Sequence, residues 1–289
     1  MDGKVTTCLV SEVYKISNTQ QTLKIAALQT VSGPDVASNL AEADELIAEA
    51  VARGARMLML PEYFALMSPD ETARLHTCER EGHGPIQDFL SETAARHGVW
   101  IVGGTLPLTA DAPNKTRNAT LVFDDQGNRV ARYDKIHLFG FEQGKERYDE
   151  AANIEPGERV VCFDFPAGRA GLAVCYDLRF PELFRAMGQV DLIVLPAAFT
   201  YTTGQAHWET LLRTRAIENQ CYLVAAAQGG MHSYGRRTWG HSMIVDPWGD
   251  ILACRPEGAG VIVAELDPAR LDMVRRCLPA LNHRRPELF

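Results

Sequence analysis

The stretch VDLIVLPAAFTYTTGQAHWETLLRTRAIENQCYLVAAAQ, residues 190–228, decides the fold class of this 289-residue chain. Its two ends, 190–199 and 221–228, are short apolar runs, which predict buried strands, and the segment between them carries a helical pattern. A strand–helix–strand order is typical of an α/β fold. Because strands that are apolar throughout must be covered on both faces, we expect helices on one face of the sheet and a second apolar layer on the other.

The same alternation continues on both sides of this stretch, mixed with hairpins. The pattern predicts helices where apolar residues recur at helical spacing and strands where they form short runs, with a polar loop after residue 139. Two sheets packed together and covered outside by helices would satisfy both kinds of strand. We therefore predict one α/β domain over residues 24–289, preceded by an extension over residues 1–23 that lies outside the core, with disorder as one interpretation.

Composition excludes several classes of protein. The net charge is −8, whereas a nucleic-acid or membrane-surface face would favour a basic patch. No apolar stretch approaches the roughly 20 residues that span a bilayer. The seven cysteines are scattered and contain no CxxC pair, so we expect neither a disulfide framework nor a metal site, and no cofactor. The start of the chain lacks a secretory pattern, and a reducing cytoplasm is the predicted location.

Three reactive residues follow apolar strands, at the positions where α/β folds place their chemistry. Glu62 ends MLMLPE, Lys135 lies in RYDKIHLF, and Cys175 ends GLAVC. A thiol is a strong nucleophile only as a thiolate, so it needs a base or a cation beside it. Glu62 could accept the proton, while Lys135 could stabilise the thiolate and then an oxyanion, helped by a backbone N–H after Cys175. Such a set suffices for acyl transfer from an amide.

These motifs resemble those of the nitrilase, or carbon–nitrogen hydrolase, superfamily, whose members use a Glu–Lys–Cys triad. The resemblance extends from about Lys24 to Phe289 and matches Glu62 in LPEYF, Lys135 in YDKIHLF and Cys175 in CYDLRFPEL. It implies a four-layer α-β-β-α sandwich that pairs into a homodimer or assembles further. It also implies hydrolysis of a small-molecule amide through a cysteine thioester.

The resemblance implies further site residues. A second glutamate assists the triad in many members, and the pattern of DEAANIEPGE places it at Glu150, with Glu142 as the alternative. Three stretches, AFTYTTGQAHWETLLRTRAIENQCYLVAAAQ, GHSMIVDPWG and LNHRRPELF, are similar to the branch that contains deaminated glutathione amidase and ω-amidase. Within that branch, VAAAQ and HRRPELF are more similar to deaminated glutathione amidase, with ω-amidase or another short aliphatic amidase as the alternative. This branch implies an amide substrate that carries a carboxylate, and the candidate substrate-binding residues are Arg179, Phe199 and Thr203.

Other interpretations of these residues remain open at this point. Arg179 could instead pair with Glu182 or Asp177, and His137 or His207 could form a papain-like pair with the cysteine, although packed or hydrogen-bonded histidines are the simpler interpretation. The cysteines other than Cys175 are interpreted as buried or plain surface thiols. From another class of protein, a catalytically silent binding protein on the same fold is the alternative to an enzyme.

Overall fold

The computed structural model describes residues 22–70, 72–144 and 146–288. All but the last two residues of the predicted N-terminal extension lie outside this part of the chain. The helices are α1 (Val36–Ala52), α2 (Ala73–Thr77), α3 (Pro85–His97), α4 (Pro181–Ala186), α5 (Tyr201–Asn219) and α6 (Pro268–Cys277). The strands are β1 (Leu23–Gln29), β2 (Met57–Met59), β3 (Trp100–Val102), β4 (Leu106–Thr109), β5 (Thr116–Phe123), β6 (Arg129–Asp134), β7 (Gly140–Gln143), β8 (Glu146–Asp149), β9 (Cys162–Phe165), β10 (Gly168–Leu172), β11 (Leu192–Ala197), β12 (Tyr222–Ala227), β13 (Ser242–Val245), β14 (Ile251–Arg255) and β15 (Gly260–Leu266).

Two sheets form the centre of the molecule. The first has the order β15-β1-β2-β3-β5-β4, with β6 paired to β5, and its strands β1, β2 and β3 are parallel. The second has the order β14-β13-β12-β11-β10-β9, and its strands β10, β11 and β12 are parallel. The opening stretch of the sequence supplies β11, α5 and β12 of this second sheet, paired in register from Leu192 with Tyr222 to Ala197 with Ala227.

Alternating side chains of the first sheet enter two different cores. On β1, Ile25 and Ala27 belong to the core that includes the second sheet, whereas Ala26 and Leu28 belong to the core that includes α1 and α3. Successive side chains of a strand point to opposite faces of the sheet, so one strand contributes side chains to both cores. The buried residues of α5, Trp208 and Leu212 among them, join the second sheet to the helices outside it. The predicted four-layer α-β-β-α sandwich is confirmed.

The structure corrects two of the predicted elements. The apolar run VWIVGGTLPL has the pattern that predicts a single buried strand, but Gly103 and Gly104 divide it into β3 and β4. Gly104 has a φ of +52°, and a Cβ there would lie 2.1 Å from the carbonyl oxygen of Pro61. The two backbone segments therefore approach too closely for any residue larger than glycine. The polar loop after residue 139 instead contains the hairpin β7–β8.

Within the described ranges, no helix is both long enough and apolar enough to cross a membrane.

Candidate active site

The structure brings three of the predicted residues to one place between the sheets. Glu62 follows β2, Lys135 follows β6, and Cys175 follows β10. Their exposed fractions are 1%, 0% and 7%, so the cluster is almost closed to bulk water. Burial makes charged groups costly unless they are paired, so the partners of these side chains determine what the cluster can do.

Lys135 lies between two carboxylates. Its Nζ is 2.9 Å from Oε1 of Glu62 and 2.7 Å from Oε2 of Glu150. Burial lowers the pKa of Lys135, but the charges of Glu150 and Glu62 outweigh it and leave that pKa well above its ordinary value. The amine is therefore a fixed cation. The alternative second glutamate, Glu142, is exposed on β7 and does not reach the cluster.

Three hydrogen-bond donors hold the side chain of Glu150. Its Oε1 accepts a hydrogen bond from the Tyr63 hydroxyl at 2.8 Å, and its Oε2 accepts one from the Phe139 N–H at 2.8 Å as well as from Lys135. Burial raises the pKa of Glu150, but Lys135 and these hydrogen bonds more than offset it and hold the pKa below its ordinary value. With both oxygens occupied, Glu150 has little capacity left to accept a proton.

Glu62 differs from Glu150 because one of its oxygens faces the thiol. Lys135 and the Nδ2 of Asn118 both donate to Oε1, each at 2.9 Å. The side chain also forms a hydrogen bond with Cys175. Asn118 additionally accepts the Lys135 backbone N–H at its own carbonyl, at 3.0 Å, so one residue of β5 positions both partners.

Cys175 occupies an unusual backbone conformation, with a φ of +49°. Positive φ is uncommon outside glycine and, where the surrounding structure enforces it, often marks a functional site. Cys175 begins a 3₁₀ turn that ends at Arg179, and the first N–H groups of such a turn have no partner within it. Asp177 fixes the turn, because its Oδ2 accepts the Val174 N–H at 2.8 Å and the Tyr133 hydroxyl at 2.7 Å.

The charge balance of the cluster decides how readily the thiol ionises. Two carboxylates and one ammonium give the cluster a net charge of about −1 before Cys175 ionises, which disfavours a thiolate. Burial and the Glu62 charge raise the pKa of Cys175 well above its ordinary value, although Lys135 lowers it in part. Lys135 favours the thiolate, as expected, but burial and the carboxylates outweigh it. The thiol is protonated at rest, next to a carboxylate that can take its proton.

A cavity opens above the cysteine and encloses about 310 Å³. All three predicted substrate residues, Arg179, Phe199 and Thr203, line it together with the thiol. The other lining residues are Glu62, Tyr63, Phe139, Glu150, Tyr176, Ala198, Thr200 and Arg236. The site is therefore a small, part-aromatic pocket with the reactive groups at one wall.

Arg179 does not pair with either carboxylate considered for it. Asp177 is committed to Tyr133, Val174 and His137, and within the described residues Arg179 forms no ion pair. Its guanidinium contacts Nδ1 of His207 at 3.1 Å and lies 5.3 Å from the centre of the Phe199 ring. The structural-pair interpretation is wrong, and Arg179 presents its charge to the cavity.

The two histidines do not form a papain-like pair with Cys175. His137 stacks on Phe180 with ring centres 3.7 Å apart and binds Asp177, while His207 binds Arg179. Neither lines the cavity. No group of three metal-ligating side chains is found in the part of the chain that the structure describes.

Four residues at or beside the site were not singled out from the sequence for these roles: Tyr63, Asn118, Asp177 and Arg236. Two of them stand next to motif residues, since Tyr63 follows Glu62 and Asp177 lies two positions after Cys175. Polar residues inside otherwise apolar strand ends are the signal that could have marked them. Arg236 lies in a separate loop, and its sequence context carries no such signal.

A family model described as carbon–nitrogen hydrolase matches residues 24–276. The chain belongs to the carbon–nitrogen hydrolase family.

Individual relatives agree with this assignment. A Yersinia enterocolitica protein named deaminated glutathione amidase is 42% identical over 266 residues, covering 90% of this chain and 92% of the relative. The structure of Saccharomyces cerevisiae Nit3, described as a member of branch 10 of the nitrilase superfamily, is 31% identical with a TM-score of 0.82, covering 93% of this chain and 97% of that one. A mutant amidase from Nesterenkonia sp. AN1, 26% identical with a TM-score of 0.77, covers 94% of this chain and 97% of its own. That amidase carries the acetamide moiety of fluoroacetamide on its active-site cysteine. The predicted superfamily, fold and enzyme class are confirmed.

Proposed function

We propose that this carbon–nitrogen hydrolase is an amidase that cleaves a small carboxylate-bearing amide through a thioester on Cys175. The observation that carries the proposal is the buried cluster in which Glu62 contacts both the thiol and Lys135, at the wall of a cavity that is also lined by Arg179, whose guanidinium forms no ion pair within the described residues. Deaminated glutathione is the substrate that the relatives' names support best.

In the first step the sulfur of Cys175 attacks the amide carbon as Glu62 accepts the thiol proton. The proton stays within the cluster, so its net charge does not change as the sulfur becomes nucleophilic. The carbonyl oxygen becomes an oxyanion, and Lys135 and the backbone N–H of Tyr176 at the start of the 3₁₀ turn stabilise it. Because Lys135 is held by two carboxylates, this stabilising charge is in place before the reaction.

In the second step the tetrahedral intermediate collapses and the carbon–nitrogen bond breaks. The protonated Glu62 gives its proton to the leaving nitrogen, which departs as a neutral amine or ammonia. The acyl group remains on Cys175 as a thioester. Water then attacks the thioester carbon as Glu62 again accepts a proton. The carbon–sulfur bond breaks, and the sulfur recovers its proton from Glu62 as the acid leaves.

Glu150 supports this cycle without exchanging protons. Its pKa lies below the ordinary value and both its oxygens accept hydrogen bonds, so it remains a carboxylate that fixes Lys135. Its role is to orient the ammonium and keep it charged. The division of labour between the two glutamates follows from their different partners: one faces the thiol, and the other is fully occupied.

The carboxylate of the acyl group is expected to bind Arg179. Phe199 and Thr203 are expected to border the acyl chain between this carboxylate and the amide carbon. Guanidinium groups recognise carboxylates through paired, charge-assisted hydrogen bonds. Deaminated glutathione and 2-oxoglutaramate share the same acyl group, which carries a 2-oxo acid. ω-Amidase activity, the hydrolysis of 2-oxoglutaramate or 2-oxosuccinamate, and the hydrolysis of other short aliphatic amides are therefore the alternative activities.

The test is to measure 2-oxoglutarate released from deaminated glutathione and from 2-oxoglutaramate by the wild-type protein and by Cys175→Ala. We expect kcat/KM for the first substrate to exceed that for the second and to vanish in the variant. If neither substrate reaches about 1 M⁻¹s⁻¹, far below ordinary enzymes, the substrate proposal fails. A higher value for 2-oxoglutaramate would favour ω-amidase.

A catalytically silent binding protein is the alternative from another class. Intact-mass measurement during turnover separates it from an amidase, because the amidase accumulates the mass of the acyl group on the chain. The mass increase should be absent from Cys175→Ala. Unmodified wild-type protein at all times, with substrate remaining intact, would support the binding protein.

We also propose a homodimer in a reducing cytoplasm. Ile217, Trp248 and Leu252 are exposed by 47%, 52% and 44%, and apolar side chains of this kind are enriched in interfaces between subunits. The six cysteines of the described ranges are all free thiols, as expected of a reducing compartment.

A further inference from the structure

A second arginine of the reactive cavity has a buried nitrogen that lacks a hydrogen-bond partner. Arg236 lines the same cavity as Cys175 and Arg179. Its Nε is buried and has no hydrogen-bond partner, and within the described residues its guanidinium forms no ion pair. Its guanidinium lies over the ring of Tyr148 on β8, at 5.1 Å from the ring centre.

An unpartnered, buried guanidinium nitrogen is costly. Buried polar groups are nearly always hydrogen-bonded, and each exception calls for an explanation. A guanidinium is always charged, so it cannot avoid the cost by losing a proton. The neighbouring Arg237 shows the ordinary alternative, because it is exposed, lies over Tyr201 and pairs with Glu257.

The backbone that carries Arg236 is fixed. The carbonyl of Arg236 accepts the His232 N–H at 2.8 Å, and Thr238 N–H donates to the Gly230 carbonyl at 3.0 Å. The buried His232 ring contacts Ser32 O at 2.8 Å and the Thr238 hydroxyl at 2.9 Å. The orientation of Arg236 toward the cavity is therefore a built feature of the loop between β12 and β13.

Arg236 also stands where two cavities meet. A second cavity of about 390 Å³ adjoins the first and shares Tyr63, Phe139, Glu150 and Arg236 with it. Cys175 and Arg179 line only the first cavity, and Tyr148 lines only the second. A substrate whose acyl half lies against Arg179 has its leaving amine free to extend past Arg236 into the second cavity.

We propose that Arg236 binds a carboxylate on the amine half of the substrate, so that the enzyme favours amides with a carboxylate on each side of the bond it cleaves. The proposal rests on the amidase function proposed above. Arg179 takes the acyl carboxylate and Arg236 takes the carboxylate of a departing amino acid or short peptide. Deaminated glutathione has this form, since a 2-oxo acid lies on one side of its amide and a terminal glycine carboxylate on the other.

The test uses one pair of substrates that differ only in the group that Arg236 is proposed to bind. These are deaminated glutathione and its analogue in which the terminal glycine carboxylate is a carboxamide. A charged hydrogen bond corresponds to about 10- to 100-fold in kcat/KM. We expect the wild-type protein to prefer the acid by this factor, Arg236→Met to lose the preference, and Arg236→Lys to recover part of it. Arg237→Met is the matched control and should keep the full preference.

A third substrate, 2-oxoglutaramate, separates the two arginines. Its leaving group is ammonia, so Arg236→Met should lower its kcat/KM much less than that for deaminated glutathione, whereas Arg179→Met should lower kcat/KM for all three substrates. The proposal is overturned if Arg236→Met lowers kcat/KM equally for acid and carboxamide, if it lowers that for 2-oxoglutaramate as much as that for deaminated glutathione, or if the wild-type protein shows no preference. Absence of any hydrolysis by the wild-type protein is a different result, because it removes the proposed function itself.

Discussion

The hydroxyl of Tyr133 donates a hydrogen bond of 2.7 Å to Oδ2 of Asp177, and this bond joins the strand that ends just before Lys135 to the turn that carries Cys175. Tyr133 precedes the lysine by two positions, and Asp177 follows the cysteine by two. Both side chains are fully buried. The two halves of the reactive cluster, which come from different sheets, are therefore held in register by a contact outside the cluster itself.

Replacing Asp177 with Asn should misplace Cys175 without touching the reacting groups. The carboxylate accepts from four donors: the Tyr133 hydroxyl, the Val174 N–H, and the N–H and Nδ1 of His137. An amide has one acceptor oxygen, so buried donors are left unpaired at about 1–3 kcal/mol of unfolding free energy. The unfolding free energy measured by urea denaturation and the value of kcat/KM should both be lower in Asp177→Asn than in the wild-type protein. Tyr133→Phe, which removes one donor only, should lose about 1 kcal/mol, and equal losses in the two variants would contradict this account.

Removal of the base and of the cation should give non-additive effects. Glu62→Gln keeps the acceptor oxygen that Lys135 and Asn118 use but cannot take a proton, so kcat should fall by about 10² to 10⁴ with the fold intact. Lys135→Met leaves two buried carboxylates unpaired, at a cost of about 3–5 kcal/mol in unfolding free energy. The double variant should be little less active than the worse single variant and more stable than Lys135→Met. Fully additive losses in kcat would argue against a single catalytic unit.

The resting state of the thiol can be measured directly. Because the pKa of Cys175 is raised well above its ordinary value by burial and by Glu62, the thiolate should be absent at neutral pH. The ultraviolet absorption of thiolate should therefore not differ between wild type and Cys175→Ala at that pH. Alkylation of Cys175 by iodoacetamide should slow in Glu62→Gln, while alkylation of the exposed Cys277 should not. A thiolate signal at neutral pH that vanishes in Cys175→Ala would contradict base-assisted attack.

The ion cluster should confine stability to a range of pH. The pKa of Glu150 in the fold is below its ordinary 4.5, so its contribution is complete above that value and is lost as pH falls through the folded pKa. The pKa of Lys135 in the fold is above its ordinary 10.5, so its contribution is complete below that value and is lost as pH rises through the folded pKa. The difference in unfolding free energy between wild type and Glu150→Gln should therefore be largest near neutral pH and shrink in acid. A difference independent of pH down to acid unfolding would show that Glu150 is not the ionised partner.

The reactive residues at strand ends could be predicted from the sequence because the residues around them repeat a simple pattern. An apolar run followed by a reactive residue located Glu62 and Cys175, and the order of helices and strands indicated two covered sheets, which the structure has. The opening strand–helix–strand stretch folds as its pattern predicted, with α5 starting at Tyr201 because the Thr200 side chain caps it.

Contacts between segments that are distant in the sequence could not be predicted in the same way. The choice between Glu150 and Glu142 depends on the hairpin β7–β8, which the polar sequence concealed and which leaves only Glu150 directed at Lys135. Asn118 reaches Glu62 across 56 positions of the chain, and no local pattern encodes that pairing. The state of the thiol depends on the sum of three neighbouring charges, so it required the geometry of all three.

The C-terminal segment gives the last prediction, which concerns assembly. Residues 280–283 and 286–288 form short 3₁₀ turns, and the Leu281 N–H donates to Oε1 of Gln220 at 3.4 Å, next to the end of α5. Leu278 and Leu288 are exposed by 50% and 64%, so the segment presents apolar side chains that a second copy could cover. Chain ends are often loosely held, which is the competing explanation of that exposure.

Deleting residues 281–289 should therefore weaken the proposed dimer. Light scattering at micromolar protein should give a lower mass for the truncated chain than for the full chain. Glu287→Gln, which changes charge but keeps the apolar residues, is the control and should retain the full-length mass. Thermal unfolding of both variants establishes that the domain is intact. An unchanged mass after truncation would place the subunit interface elsewhere, whereas a full-length chain that is already a monomer would remove the dimer.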